Sequence, residues 1–262
     1  MEKLPVVKVG GSIESATKGE YSLNVEAILK EAWQLTLKSR LSINVGLVIC
    51  LLIAMFTSML ASTPMGGIEV AMADPQSITL LNIIVTLVVY PFLAGVEMMG
   101  VFHSVGLKTR YQLIFAFLKR GSWVAVCALL TSTFVSIGLA LFYLPGIFLA
   151  VALSLALPLV VEKNMSPMKA IVLSIKATRF QWFKIFAIYL ILVLAMIISA
   201  LPIAAAADSE LGFVVIAFFL FCLAYLAPMF YNVKGVLYRE IFGLQMQASS
   251  ENQNTISDTF SA

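Results

Sequence analysis

Residues 123–161 read WVAVCALLTSTFVSIGLALFYLPGIFLAVALSLALPLVV, and no charged side chain interrupts them. A helix rises about 1.5 Å per residue, so roughly 20 apolar residues cross a hydrocarbon core of about 30 Å. The stretch is too long for one crossing, and Leu144, Pro145 and Gly146 divide it near its middle. It therefore predicts two spans, residues 123–143 and 145–161, joined by a tight turn that makes them antiparallel neighbours.

Four more apolar blocks flank this pair, at residues 41–61, 80–102, 183–205 and 211–231. The chain is 61% hydrophobic and 12% charged, whereas soluble domains run near half apolar and a quarter charged. The bilayer is the solvent these figures fit, and the fold class expected is all-α, a polytopic six-span helix bundle. The net charge of +3 is too small to point to nucleic acid. The first block begins near Leu41, too far along for a cleaved signal peptide, and reads as a retained first span.

The basic residues give the direction. Lys30, Lys38 and Arg40 precede the first span; Lys108, Arg110, Lys119 and Arg120 lie between the second and third. Lys163, Lys169, Lys176, Arg179 and Lys184 lie between the fourth and fifth, and Lys234 and Arg239 follow the sixth. The opposite loops hold Glu69, Asp74, Asp208 and Glu210 instead. With Lys3, Lys8 and Lys18, all 17 basic residues fall on one side, and an odd number of spans would scramble the pattern. By the positive-inside rule that side is the cytoplasm, which places both termini there; the membrane expected is a bacterial-type inner one.

Each basic segment also carries an amphipathic helix signal, giving three expected cytoplasmic interfacial helices. The first is capped by Asn24, with Val25, Ile28, Leu29, Ala32, Trp33 and Thr36 on one face. The second opens on a capping-box spacing at Thr109 and Gln112, ahead of Leu113, Ile114, Phe117 and Leu118. The third opens on Ser166 and Pro167, with Met168, Ile171, Val172 and Ile175 together. Trp33, Trp123 and Trp182 each sit near the junction with the next span and read as interfacial anchors.

Surface helix, span, outer loop and returning span thus recur three times, in units of about 24–102, 109–161 and 166–231. Each returning span carries a proline, Pro91, Pro158 or Pro228. Proline removes a backbone donor and crowds the carbonyl four residues earlier, here on Leu87, Ser154 and Ala224, so a kink is expected in each. A pseudo-threefold repeat follows as the expected architecture. The membrane domain runs over residues 24–245; residues 1–23 read as a flexible lead-in and 246–262 as a disordered tail.

Few positions carry chemistry. Glu97 is the one acidic residue inside an apolar block, either a snorkelling or basic-paired carboxylate or a proton or cation site. His103, the single histidine, follows it with no obvious partner. Cys50, Cys127 and Cys222 fall in apolar blocks without metal-ligand spacing and read as small packing residues. Asn44, Asn82, Thr86, Ser132 and Thr133 are explained by hydrogen bonds between helices. Gly146, Ala150 and Ser154 form a small-residue stripe for close packing on another span or on a second copy. No catalytic constellation, metal set or cofactor loop is found, so an enzyme is disfavoured on inventory.

Leu144-Pro145-Gly146-Ile147, Leu157-Pro158-Leu159-Val160-Val161, Ser166-Pro167, Ala170, Ser174, Thr178 and Trp182 together resemble the YciC-like family of bacterial six-helix inner-membrane proteins of unknown function. They are similar also to the membrane domain of some glycerophosphodiester phosphodiesterases, with a weaker echo at Pro91-Phe92-Leu93-Ala94-Gly95. The resemblance covers about residues 24–240 and implies a six-span membrane protein. It carries over no active-site residues, because the phosphodiesterase chemistry belongs to a separate domain. Function is then expected to be a membrane module binding anionic phospholipid on the cytoplasmic side, or a protein partner. The alternative is a small transporter or channel using the kinked helices and Glu97.

Overall fold

The structure is a computed structural model, and residues 6–205 and 212–247 are described. Its elements in chain order are strand β1 (Val6–Val9), α1 (Ile13–Lys18), α2 (Val25–Ser62), α3 (Ile68–Ala73) and α4 (Pro75–Ser104). After two short 3-10 turns come α5 (Gly121–Leu141), α6 (Tyr143–Ala152), α7 (Ala156–Glu162) and α8 (Pro167–Thr178). A further turn leads to α9 (Trp182–Ala205), α10 (Gly212–Phe242) and strand β2 (Leu244–Gln247). Among the described residues six helical stretches are long and apolar enough to cross a membrane. Many of their large apolar side chains face outward, among them Leu41, Phe56, Met59, Phe183 and Phe213. In water such a surface would be an aggregation hazard; against lipid it is the ordinary solvent-facing side. The protein is a multi-pass integral membrane protein.

The chain divides into two units. One holds, of the described residues, 6–44, 99–109, 177–205 and 212–247. Here the expected flexible lead-in is ordered over its described part. Strand β1 pairs antiparallel with β2, Val9 opposite Leu244. Gly11 and Gly243 both donate their backbone N–H to the Arg239 carbonyl at 3.0 Å, closing the end of α10. A side chain at Gly11 would overlap the carbonyls of Glu240 and Ile241, so the close approach needs glycine. A Ser12–Ser15 capping box then starts α1. Further on, the Tyr21 hydroxyl donates to the Ala177 carbonyl at 2.6 Å, and burial pushes its phenol up to about 12. The Leu23 N–H donates to Gln181 Oε1 at 3.1 Å. These long-range bonds, invisible in local composition, are why the segment is not a free tail. The tail beyond residue 247, and the loop carrying Asp208 and Glu210, lie outside the described residues.

The other unit holds Val45–Met98 and Arg110–Lys176. Its α5–α6 hairpin is the divided stretch of the sequence, turned at Phe142, whose extended backbone separates the helices. The turn comes two residues before Leu144-Pro145-Gly146, which forms part of the first turn of α6. A side chain on Gly138 would come within 2.9 Å of the Gly146 Cα, so these two glycines set the helix separation. Gly146 therefore packs within the chain. The rest of the expected stripe does not follow it: Ala150 is exposed, and Ser154 falls in the gap between α6 and α7. That gap lies just ahead of Pro158, where the missing N–H and the crowded Ser154 carbonyl disfavour a continuous helix. Pro158 instead occupies the first turn of α7, where no intrahelical donor is lost. Ser174 of α8 donates to the Ala152 carbonyl at 2.6 Å and covers the broken end.

Of the three surface helices expected, only the third, α8, is a separate element. The first is continuous with its span in α2, and its Ile28, Ala32 and Thr36 stripe is buried by protein. The second is replaced by 3-10 turns at Tyr111–Phe115 and Leu118–Arg120, and no side chain caps the first of them. A side chain on Gly95 would overlap the Ile114 backbone, so this turn lies directly on α4.

Candidate functional site

The candidate site lies in the first unit, and glycine makes room for it. A side chain on Gly100 of α4 would overlap the Tyr231 carbonyl, and one on Gly235 of α10 the Gly100 carbonyl. The two backbones touch. His103 lies three residues after Gly100 and Asn232 three before Gly235, the spacing that keeps each on its glycine's face. The contact of the glycines therefore brings the two polar side chains together, His103 Nδ1 to Asn232 Oδ1 at 3.0 Å, with both residues buried.

The rest is fixed by counting donors. Thr36 donates its hydroxyl to the Ala32 carbonyl at 2.8 Å and so accepts from Asn232 Nδ2 at 2.9 Å. That leaves Asn232 Oδ1 facing the ring, so His103 Nδ1 carries a hydrogen. Ser39 donates to the Leu35 carbonyl at 2.6 Å and stands 3.1 Å from the same Nδ1 as a second acceptor. On the far side, Thr109 Oγ1 lies 2.7 Å from Nε2 and 3.2 Å from Ser42 Oγ, while Ser42 reaches the Ser39 carbonyl at 3.1 Å. A neutral ring accepts from Thr109. A protonated ring donates to Thr109, which turns its hydroxyl to Ser42, and Ser42 to the Ser39 carbonyl. Both states are satisfied by rotating hydroxyls alone.

His103 thus has partners that sequence reading did not supply, and the capping role expected of Thr109 is displaced because its hydroxyl is taken by the ring. Thr109, His103 and Asn232 stand in the order nucleophile, base and orienter. The ring is only 2% exposed, however, and Thr109 is shared with Ser42, which suits a joint between helices better than an open nucleophile.

A second polar joint lies nearby in the same unit. Arg239 of α10 grips Glu31 of α2 with both ends of its guanidinium, at 2.5 and 2.9 Å. It also donates to the Ser104 carbonyl at the end of α4 and to Glu240 at 2.7 and 3.0 Å. The planar fork of arginine suits this paired geometry where lysine would not. Glu31 thus ties α2 to α10 in this joint.

The other expected positions are dispersed. Glu97 belongs to the second unit and is buried at 5% exposed, enclosed by protein rather than reaching outward. Trp33 lies tilted against Tyr225, ring centroids 6.0 Å apart, and Arg40 sits over the same tyrosine at 4.3 Å. Trp182 lies parallel to Phe186, and Trp123 is half exposed beside a groove. Helices α4 and α10 continue through Pro91 and Pro228. The Ala224 carbonyl, freed by Pro228, accepts from Asn44 Nδ2 at 2.9 Å. Among the described residues no three His, Cys, Asp or Glu side chains gather as a metal set. Asn232, Gly100 and Gly235 were missed because helical spacing names a face, not the face it meets. No family model, curated protein or solved structure matches the chain.

Proposed function

We propose that this chain is a non-catalytic membrane module of the inner membrane that binds anionic phospholipid on its basic, cytoplasmic side. What supports the reading is the charge distribution of the sequence: with six spans, all 17 Lys and Arg fall to one side, and the charged residues of the opposing loops are all acids. Basic residues at a membrane surface attract acidic headgroups by about 1 kcal/mol each. On this reading both termini are cytoplasmic, the chain is YciC-like on its residues between Leu144 and Trp182, and the three hairpins form a pseudo-threefold repeat. The three prolines in α4, α7 and α10 support the repeat.

The test is native mass spectrometry of the protein from nanodiscs of mixed phosphatidylglycerol and phosphatidylcholine. Preferential retention of the anionic lipid is expected; retention in the bulk ratio would overturn the reading. A co-purifying protein or a second copy in its place would make the module a protein-binding one.

A further inference from the structure

We propose that Arg40 of α2, held over Tyr225 of α10, takes the phosphate of one bound anionic phospholipid whose acyl chain lies along Leu37, Leu41 and Phe221. The inference rests on the lipid-binding reading above and gives that reading a place. Trp33, Leu37, Arg40 and Asn44 follow one another at spacings of four, three and four residues, so they share a face of α2. Phe221 and Tyr225 share a face of α10 in the same way. The two faces meet, all within the first unit. The Arg40 guanidinium sits 4.3 Å over the Tyr225 ring, and the Trp33 and Phe221 ring centroids lie 6.0 and 5.1 Å from it. One turn further along α2, Asn44 Nδ2 donates to the Ala224 carbonyl at 2.9 Å and fixes the crossing.

The arginine calls for an anion. A ring face attracts its charge but offers its N–H groups no lone pair. Among the described residues no carboxylate pairs with it. The acids of α2 and α10 are Glu26, Glu31 and Glu240. Arg239 holds Glu31 and Glu240, and Glu26 lies fourteen residues from Arg40, about 21 Å along the helix. The rim makes that anion a lipid. Leu37, Leu41 and Phe221 are exposed, Leu41 by 75% and Phe221 by 62%. Arg40 is the last charged residue of α2, and Leu41 opens an uncharged run to Ser62. The guanidinium therefore stands where hydrocarbon gives way to headgroups, the level that tryptophan and tyrosine also favour. On the reading above this is the cytoplasmic leaflet. There the lipid phosphate is the acceptor at hand, and a fork of N–H groups suits its paired oxygens. A zwitterionic lipid brings an ammonium that the arginine repels, and a free phosphate gains nothing from the apolar rim.

Trp33 reports on occupancy. In the full chain with Trp123→Phe and Trp182→Phe, its fluorescence is quenched by lipids brominated on their acyl chains. Brominated phosphatidylglycerol is expected to quench at a lower mole fraction than brominated phosphatidylcholine, and to saturate. Arg40→Gln should raise the half-quenching fraction of phosphatidylglycerol about fivefold or more. Lys38→Gln removes the same charge two residues away, on another side of α2, and should shift it much less. Equal quenching of Trp33 by both lipids overturns the site with position 40 untouched. So does a shift for Arg40→Gln no larger than that for Lys38→Gln. Displacement of the lipid by inorganic phosphate would make the ligand a free anion and overturn it too. If the whole protein still retains anionic lipid by mass spectrometry, only this site has failed; if it retains none, the lipid-binding reading has failed with it.

Discussion

At His103 a single ring holds hydroxyls and an amide from two other helices and a loop, and the strength of that joint lies in what its loss would strand. His103→Ala removes the partner of Asn232 Oδ1 and of Thr109 together. A buried polar group left unsatisfied costs about 1–3 kcal/mol, so a loss in that range is expected, read as a lowered midpoint of thermal or denaturant unfolding in detergent. His103→Ala combined with Asn232→Leu should destabilise by less than the sum of the two single changes, since the second removes the group the first strands. Strict additivity would mean the two side chains do not interact. Of this site the sequence made His103 visible, because a lone histidine at the end of an apolar block is conspicuous. Its partners were not visible: Ser39, Thr109 and Asn232 are ordinary polar residues, and only the fold places them within reach. Glu97 was conspicuous for the same reason, and its burial in protein was not foreseeable from depth along a span.

Between elements the decisive contacts are backbone against backbone. Gly235→Ala would drive a methyl into the Gly100 carbonyl, which has no flexible end to give way. Overpacking of this kind costs about 1–3 kcal/mol, and a change at the upper end is expected, read as a lowered unfolding midpoint in detergent. An unfolding midpoint for Gly235→Ala equal to wild type would show that the helices stand further apart. At the start of α4, Asp74 accepts from the Ser77 hydroxyl at 2.7 Å and the Ser77 N–H at 2.8 Å. These bonds, the hydroxyl first, hold its carboxyl below the usual carboxylate range. A depressed value means that the cap is complete above the ordinary Asp range and is lost as pH falls through the depressed one. Amide exchange at Ser77 should therefore quicken in acid, beyond its intrinsic pH dependence, and Asp74→Ala should abolish that excess. The spans themselves were legible because twenty apolar residues in a row are a one-dimensional signal. The surface helices were not, since an apolar face at 24–38 looks the same whether membrane or protein covers it, and here Ile28, Ala32 and Thr36 meet protein.

For the molecule as a whole, the sequence spoke clearly about solvent and faintly about closure. Nothing in Val6–Val9 announces a partner some two hundred residues away, and the glycines that admit the crossing resemble those of any loose segment. Yet Lys8 stands opposite Gln245 in the strand pair. Directly opposed strand residues have Cα atoms about 4.5–5.5 Å apart, within the reach of a disulfide. Lys8→Cys with Gln245→Cys should close one under mild oxidation, protecting both introduced thiols from maleimide, while either alone labels fully. Full labelling of the pair after oxidation would refute the pairing.

That strand pair also sets a calendar for assembly. During synthesis β1 emerges before these six spans and β2 only after α10, so β1 must wait on one face of the bilayer while every crossing between them is threaded. The helix end it caps, at Arg239, does not yet exist. The last turn of α10 is therefore finished by a segment made before all six of these spans, and a protein stalled or cut short before Leu244 would keep an unpaired strand edge exposed. Such an edge is what neighbouring chains pair with, and pairing with β2 covers it.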